Sequence, residues 1–357
     1  MSESVHDILA LPPRRETFLV RYPRNLKLSF AAVIFALIVL PPAWIHGQLH
    51  RHAKNIYAPS FSKAKEEERL PIFGNKVGTD TNAPALNDQD DRSVKLIPAP
   101  DSRVTEDTAE GSLPRIGEDG ARPWQVYARP FNAADKRPRI AIVVTGLGMS
   151  RAITDQAITQ LPPTVTLSFN AQGTVVGAWG ARARQDGHEI LLQIPMEPYD
   201  YPRSDSGPNT LLTNLPNSEN LARLSKILRR ATGYVGITTT FGSNFAADQT
   251  TFAPVLQVAQ DRGLMLLDSR ATAHSVVTDM SRRAGVPVAT VTQRLDTDLS
   301  PEAIAATLED LEKTARQKGR AVGITEATPV MIAQLQTWLK TLPEHGIALA
   351  PLSATVY

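Results

Sequence analysis

Short apolar runs alternate with helical patterns from Arg139 to the C-terminus, and this alternation restricts the chain to few folds. The runs are rich in β-branched residues and have the length of strands buried on both faces. The eight predicted strands are 140–144, 165–169, 189–194, 234–238, 264–267, 286–291, 321–324 and 347–350. The pattern predicts one α/β domain on a parallel sheet, either a barrel or a doubly wound sheet.

Helix start signals separate these runs. Asn217 and Asp248 are expected to cap the helices that follow them. Ser300 followed by Pro301 marks the start of a longer helix. The 195–215 connection breaks the rhythm, because it is long and carries several prolines. We expect it to form a loop over the carboxyl edge of the sheet.

One segment near the N-terminus is apolar enough to enter a bilayer. Residues 28–45 carry no charge, and their number lies just above the lower limit for a spanning helix, about 17 residues. Arginine and lysine precede them, so the positive-inside rule predicts a cytoplasmic segment at 1–27 and an exported remainder. We expect an uncleaved inner-membrane anchor with a periplasmic C-terminal domain. A cleaved signal peptide and a buried soluble helix are the alternatives.

The chain between this segment and the first predicted strand is polar. Residues 46–121 show no sustained helical or strand period and are spotted with proline, so we predict a flexible linker. Aromatic residues return at Trp124, Tyr127 and Phe131, which we expect to pack on the outside of the domain. The globular domain is therefore placed at 122–357.

Composition excludes several classes of site. The net charge is +2, which argues against nucleic acid as a partner, since that binding needs a strong positive field. The chain has no cysteine, so disulfides, thiolate nucleophiles and cysteine–zinc sites are excluded.

The first predicted strand of the domain ends in an unusual loop. In RIAIVVTGLGMS (139–150) the apolar run stops at Thr145 and Gly146. Loops at the carboxyl ends of parallel strands carry the chemistry of α/β proteins. This loop offers no carboxylate, histidine or lysine, so either an active-site loop has lost its reactive groups here or the loop never carried any.

Polar and aromatic residues follow three other predicted strands. Acidic and aromatic side chains after 189–194 suit sugar binding or acid–base chemistry, and the alternative is a structured loop with solvated acids. Asp268 could orient a substrate, base or metal, or it could cap a helix. The candidate catalytic residue is Asp268, and the candidate substrate-binding residues are Glu197, Tyr199, Asp200, Tyr201, Thr238, Thr239, Thr240, Asn244 and Arg270.

The histidines do not form a metal-binding motif. Of the seven in the chain, the predicted domain holds His188, His274 and His345. His188 begins a predicted strand and is expected at the amino edge of the sheet, whereas His274 could approach Asp268. Neither H-x-x-H, H-E-x-x-H nor G-x-S-x-G spacing occurs, so a zinc site or a serine nucleophile is not supported.

Several stretches, in order, resemble the divergent polysaccharide deacetylases. They lie between about residues 137 and 357. The matching stretches are IAIVVTGLG (140–148), GHEILLQIPMEPYDYP (187–202), GPNTLLTNL (207–215), GYVGITTTFGSNF (233–245), GLMLLDSR (263–270) and SPEAI (300–304). This resemblance implies a distorted (β/α) barrel of parallel strands and a role in envelope carbohydrate metabolism.

The same resemblance implies a divalent metal, usually zinc, held by aspartate and histidine for deacetylation. The paired aspartates of the opening block correspond to Thr145 and Gly146, and a histidine of the second block corresponds to Gln193. The two later blocks read Thr239, Thr240, Phe241, Gly242 and Gly323, Ile324, Thr325. Threonine, glycine, phenylalanine and isoleucine cannot hold a metal in this way.

The main hypothesis is a membrane-anchored, catalytically degenerate member that binds an envelope glycan or protein and needs no cofactor. Two alternatives stay open. One is an active carbohydrate deacetylase with an unorthodox site, in which Asp268, Glu197 and His188 or His274 converge around zinc or another divalent metal. The other is a scaffold for a cell-envelope protein complex.

Overall fold

The computed structural model describes residues 92–356, with only the backbone at Thr240. The predicted cytoplasmic segment, the predicted anchor at 28–45 and the linker up to residue 91 lie outside this range. No helix within 92–356 is long and apolar enough to cross a membrane.

A curled parallel sheet forms the centre of the domain. Its order is β8-β7-β6-β5-β4-β3-β10-β9, and β11 pairs with the first residues of β3. The strands are β3 Arg139–Leu147, β4 Thr166–Asn170, β5 Ile190–Met196, β6 Gly236–Phe241, β7 Met265–Asp268, β8 Val288–Thr290, β9 Gln293–Arg294, β10 Arg320–Glu326 and β11 Ala348–Leu349. All eight predicted strands are present, and β9 is an addition.

The segment that joins β8 to β9 closes the curled sheet. The N–H of Val291 donates to Asp268 O on β7 at 3.0 Å, and the N–H of Thr292 donates to Val322 O on β10 at 2.9 Å. Two consecutive residues therefore link the two ends of the sheet. The fold is a (β/α) barrel with a distorted seam rather than a doubly wound sheet.

The helices are α1 Pro123–Val126, α2 Arg151–Gln160, α3 Val176–Gln185, α4 Asn217–Leu228, α5 Gln249–Asp261, α6 Val277–Ala284, α7 Pro301–Lys318 and α8 Pro329–Trp338. Helices α2 to α8 cover the outside of the barrel, whereas Trp124 and Val126 of α1 pack against its interior cluster. Asp248 caps α5 through the N–H groups of Thr250 and Thr251, as predicted. The predicted cap at Asn217 is wrong, because Pro216 takes that position and Asn217 is the first helical residue.

Alternation along the strands builds two apolar layers. On β3, Ile140, Ile142 and Val144 pack outward against the helices. Ala141 and Val143 point into the barrel. Successive side chains of a strand face opposite sides, so a run without polar residues is what a strand buried on both faces requires.

The folded domain begins earlier than the predicted boundary at residue 122. Residues 92–121 contain the β1–β2 hairpin, Thr105–Thr108 and Gly111–Pro114. Val104 and Tyr127 are buried in the barrel interior, which also corrects the expected outside position of Tyr127. The part of the predicted linker from 92 to 121 is therefore structured, because its few apolar side chains find partners inside the barrel.

Two buried charged residues fasten chain segments at the amino edge. Arg184 donates to the carbonyls of Ile97, Tyr127 and Gly233 at 2.7–3.0 Å, and burial lowers its pKa to about 10. Glu189 accepts from the N–H groups of Arg129 and Ser353, so it joins the N-terminal segment to the last turn of the domain. Burial raises the pKa of Glu189, while its hydrogen bonds act in the opposite direction.

Candidate functional site

A β-bulge shapes the loop at the carboxyl end of β3. Val144 pairs with Leu167 and Leu147 pairs with Phe169, so β3 takes three steps where β4 takes two. Gly146 lies within the bulge with φ +76°, a value that residues with a side chain rarely adopt. Bulges next to active sites re-aim side chains, and this one directs Thr145 and Gly146 toward the mouth of the barrel.

The bulge is held by a side chain from two strands away. Gln193 on β5 is 2% exposed, and its Oε1 accepts a hydrogen bond from the N–H of Gly146 at 2.8 Å. The extra residue of a bulge is left out of the backbone ladder. Gln193 therefore supplies the acceptor that β4 does not.

A carboxylate from β10 lies over the bulge. Thr145 Oγ1 donates to Thr325 O at 3.0 Å and approaches Glu326 Oε1 at 3.3 Å. A Cβ atom on Gly146 would collide with Glu326 Oε2. The absence of a side chain at 146 therefore makes room for the carboxylate of Glu326.

Thr145, Gln193 and Glu326 line a cleft of about 550 Å³ at the carboxyl edge of the sheet. This volume lies in the range of small-ligand sites, about 300–1,000 Å³. The lining residues are the polar Thr145, Gln193, Thr239, Ser243 and Ser269, the charged Asp200, Arg294 and Glu326, and the apolar Pro198, Phe241, Ala271 and Ile324.

Two of the three charged cleft residues, Arg294 and Glu326, are linked through Asp296. Arg294 Nη1 lies 2.9 Å from Asp296 Oδ1, and the N–H of Glu326 donates to Asp296 Oδ2 at 2.6 Å. One carboxylate thus fixes the end of β9 against the end of β10. The guanidinium of Arg294 is already compensated by this contact.

Phe241 is the aromatic residue of the cleft. Its side chain is 56% exposed, and its φ is +56°. A left-handed conformation costs a residue with a side chain roughly 1–2 kcal/mol. The following N–H, that of Gly242, donates to Met196 O at 3.1 Å and fixes the turn. The fold thus holds an exposed apolar ring at the cleft in a conformation that is costly for a residue with a side chain.

Three of the predicted substrate-binding residues lie in the loop that follows β5. Tyr199 is exposed, and its hydroxyl lies 3.2 Å from Thr272 Oγ1. Asp200 lines the cleft and accepts from Ser204 Oγ at 2.7 Å, a contact that lowers its pKa. Tyr201 is half-buried. Of the three, Asp200 is the one that belongs to the cleft lining.

Two other predicted residues join loops to each other. Asn244 Nδ2 donates to Glu197 Oε1 at 2.7 Å, and the Thr213 hydroxyl donates to the same carboxylate. Neither Glu197 nor Asn244 is part of the cleft lining. They tie the turn after β6 to the 197–213 loop and so support the wall that carries Asp200.

The predicted residues on and after β6 and β7 also differ in whether they line the cleft. Thr239 lines the cleft and its hydroxyl lies 2.6 Å from Ser269 Oγ. Thr238 is buried and donates to Leu267 O. Thr240 is part of β6. Arg270 is exposed with φ +53°, and it lies between two lining residues without lining the cleft itself.

Asp268 is occupied by hydrogen bonds. It is 2% exposed and accepts from Ser275 Oγ at 2.9 Å and from Thr278 Oγ1 at 2.7 Å. The N–H groups of Arg270 and Thr278 donate to the same carboxylate. The N-cap of α6 is Val276 rather than Asp268 or Ser269, and the Asp268 carboxylate connects the β7 loop to the first turn of α6.

The three histidines of the domain lie in different surroundings. His188 is fully buried between the carbonyls of Val165 and Ile158, and burial lowers its pKa to about 4. It precedes β5, whereas Glu197 follows that strand, so the two do not converge. His274 is exposed, and His345 contacts the Glu312 carboxylate on α7 at 3.1 Å.

A profile of the divergent polysaccharide deacetylases matches residues 142–356, more than half of the chain. The chain belongs to the divergent polysaccharide deacetylase family. A crystal structure of an uncharacterized protein from Agrobacterium tumefaciens is 39% identical with a TM-score of 0.67, covering 68% of this chain and 99% of that one.

Two bacterial relatives are more distant. A protein of Haemophilus influenzae is 25% identical over 207 residues, which is 58% of this chain and 72% of the relative. Escherichia coli YibQ is 22% identical over 209 residues, 57% of this chain and 63% of YibQ. Both relatives are described as uncharacterized proteins.

The donor set of the cleft does not fit the divalent metal that the family implies. Zinc takes cysteine, histidine or carboxylate ligands. The positions that the resemblance aligns with the family's aspartates and histidines hold Thr145, Gly146, Gln193, Thr240 and Ile324. Across residues 92–356, no group of three or more acidic or histidine side chains is placed to hold a metal ion.

Sequence reasoning missed Arg294 and Glu326 as cleft residues. Glu326 is the last residue of β10 and lies two positions beyond the predicted strand end. An acidic residue so close to a predicted strand end could have been proposed as a cleft residue from the sequence. Arg294 carried no such signal, because the two-residue strand β9 was not predicted.

Proposed function

We propose that this protein binds a carbohydrate of the cell envelope in the cleft at the carboxyl edge of its barrel, without metal-dependent deacetylation. The observation that carries the proposal is the combination of lining groups. The lining combines buried hydroxyl and amide side chains, exposed carboxylates with an arginine, and an exposed phenylalanine. Apolar walls with a few placed polar groups are typical of small-ligand sites.

Each lining group matches a feature of a sugar ring. The carboxylates of Asp200 and Glu326 can accept hydrogen bonds from sugar hydroxyls, and the hydroxyls of Thr239 and Ser269 can donate or accept. The apolar face of a pyranose can lie against the ring of Phe241 and remove it from water, which is favourable. Together these contacts would set both the position and the orientation of the ligand.

The chemistry of the relatives' metal site is not reproduced. A metal-bound water is a nucleophile at neutral pH because the ion lowers its pKa. The family's ligand positions in this chain carry neutral groups, and Asp268 is surrounded by four hydrogen-bond donors. We therefore assign binding rather than hydrolysis to the cleft, with Asp268 as a residue that positions the β7 loop.

We further propose that the chain is anchored in the inner membrane through residues 28–45, with this domain in the periplasm. The uncharged apolar run and the basic residues before it support this topology. It would place the cleft where envelope glycans are found. A protease-protection measurement on spheroplasts tests it, because digestion of the domain from outside the inner membrane is expected.

Calorimetric titration of the full-length protein tests the binding proposal. The protein is kept in a zwitterionic detergent without a sugar headgroup and titrated with tetrasaccharides of glucose, N-acetylglucosamine and glucosamine. We expect binding of at least one tetrasaccharide and about a tenfold loss of affinity in Phe241→Ala, which corresponds to about 1.4 kcal/mol.

Val330→Ala is the matched control, since Val330 is also an exposed apolar residue but belongs to α8, outside the cleft. It should bind as the wild type does. Failure of all three sugars to bind, or equal losses in both variants, would refute the proposed function.

A further inference from the structure

Glu326 is an exposed carboxylate in the cleft without a cationic partner among the residues that the structure describes. Its side-chain contact is with Thr145 Oγ1, at 3.3 Å. A lone threonine hydroxyl leaves most of the acceptor capacity of a carboxylate unused. The charge of Glu326 is thus available to a ligand.

The other charges of the cleft do not neutralise Glu326. Arg294 is the cation of the lining, and its guanidinium is paired with Asp296 at 2.9 Å. Asp200 adds a second carboxylate, with Arg203 Nε at 3.6 Å on the exposed side of that loop. The excess charge inside the cleft is therefore negative.

A sugar site with a free carboxylate has a preferred ligand chemistry. An ammonium group donates hydrogen bonds to a carboxylate and also brings the opposite charge. An acetamido group can donate through its N–H, but it carries no charge, and its carbonyl oxygen would be repelled by the carboxylate. A neutral hydroxyl can also donate to the carboxylate, but it leaves the negative charge of Glu326 without a counter-charge.

We propose that Glu326 makes this cleft selective for glycans that carry a free amine, such as an amino sugar without its acetyl group. This inference rests on the proposed carbohydrate function and adds the ligand class. Gly146 contributes to this selectivity, because a side chain at 146 would take the space of the Glu326 carboxylate.

The test compares three ligands and two variants by calorimetric titration of the full-length protein. Glucosamine tetrasaccharide is expected to bind about tenfold more tightly than the N-acetylglucosamine or glucose tetrasaccharide. In Glu326→Gln this preference should disappear, and added salt should weaken the wild-type preference. Glu344→Gln, an exposed carboxylate before β11 at the amino edge, should keep the preference.

The outcomes separate the inference from the proposed function. If the sugars bind but show no preference for the amine, or if Glu326→Gln keeps the preference, the inference is wrong and the proposed function stands. If no sugar binds, the proposed function fails. If tetralysine binds as tightly as the glucosamine tetrasaccharide, the cleft recognises a cationic peptide and the inference is overturned. Equal melting temperatures of the variants show that the fold is retained.

Discussion

Gln193 reaches past β4 to accept the N–H of Gly146 at 2.8 Å, which fixes the bulge at the end of β3. This hydrogen bond sets where Thr145 and Gly146 lie at the mouth of the cleft. Because Gly146 has no side chain, its position leaves space for the Glu326 carboxylate, and the hydrogen bond therefore also determines where that carboxylate can lie. A position that resembles a metal-ligand position in related enzymes serves here as a structural support.

Replacing Gln193 should loosen the bulge. In Gln193→Leu the N–H of Gly146 loses its acceptor inside the protein, and we expect a loss of about 1–3 kcal/mol in unfolding free energy. Gln185→Leu, at an exposed glutamine of α3, is the control and should lose less than about 0.5 kcal/mol. Urea unfolding measures the difference, and equal losses in both variants would contradict the role assigned to Gln193.

His188 should make stability depend on pH. Burial lowers its pKa from 6.5 to about 4 in the folded state, so between these values the unfolded state binds a proton that the folded state does not. Its stabilising effect is therefore present above about pH 6.5 and is lost as the pH falls toward 4. The expected loss between pH 7 and pH 5 is about 2 kcal/mol.

Urea unfolding of His188→Gln at both pH values isolates this effect. The variant should lose about 2 kcal/mol less than the wild type over the same interval. His274→Gln is the control, because His274 is exposed and should leave the dependence unchanged. An identical pH dependence in His188→Gln and the wild type would show that His188 is not the titrating group.

Arg184 should fasten the N-terminal segment to the barrel. Arg184→Met removes the donor to the carbonyls of Ile97, Tyr127 and Gly233, and a buried acceptor without a partner costs about 1–3 kcal/mol. We expect a lower melting temperature and faster proteolysis within residues 92–131. Arg182→Met removes an exposed ion pair with Asp155 and a contact with the Trp179 ring at 5.7 Å, and it should cost at most about 1 kcal/mol.

Zinc should not bind stoichiometrically. Because the family's ligand positions carry hydroxyl, amide and apolar groups, metal loading should leave the melting temperature unchanged. Elemental analysis of the full-length protein, purified without chelators and then loaded with zinc, measures this directly. Near-stoichiometric zinc that is lost in Glu326→Gln would mean that the cleft recruits a metal after all.

The barrel could be predicted from the sequence because strands buried on both faces leave continuous apolar runs between recognisable helix starts. The N-terminal part of the domain could not be predicted in the same way. Val104 and Tyr127 are isolated apolar residues in a polar stretch, and their partners inside the barrel come from distant strands. Local composition cannot show such contacts, so the composition of residues 92–121 predicts a linker although they are structured.

The sequence could show that residues after the strands line the cleft, but not which side chains contact one another there. Asp200 and Thr239 follow or end predicted strands, and both line it. The contact between Glu326 and Gly146 depends on β10 lying beside β3, and the role of Gln193 depends on a bulge. Both relations join residues far apart in the chain.

A crystal structure of the protein with glucosamine tetrasaccharide tests the central claim most directly. We expect a sugar ring against Phe241 with its amine within hydrogen-bond distance of Glu326, and no metal ion among the contacting groups. A sugar bound elsewhere on the domain, or a divalent ion coordinated in the cleft, would contradict the account.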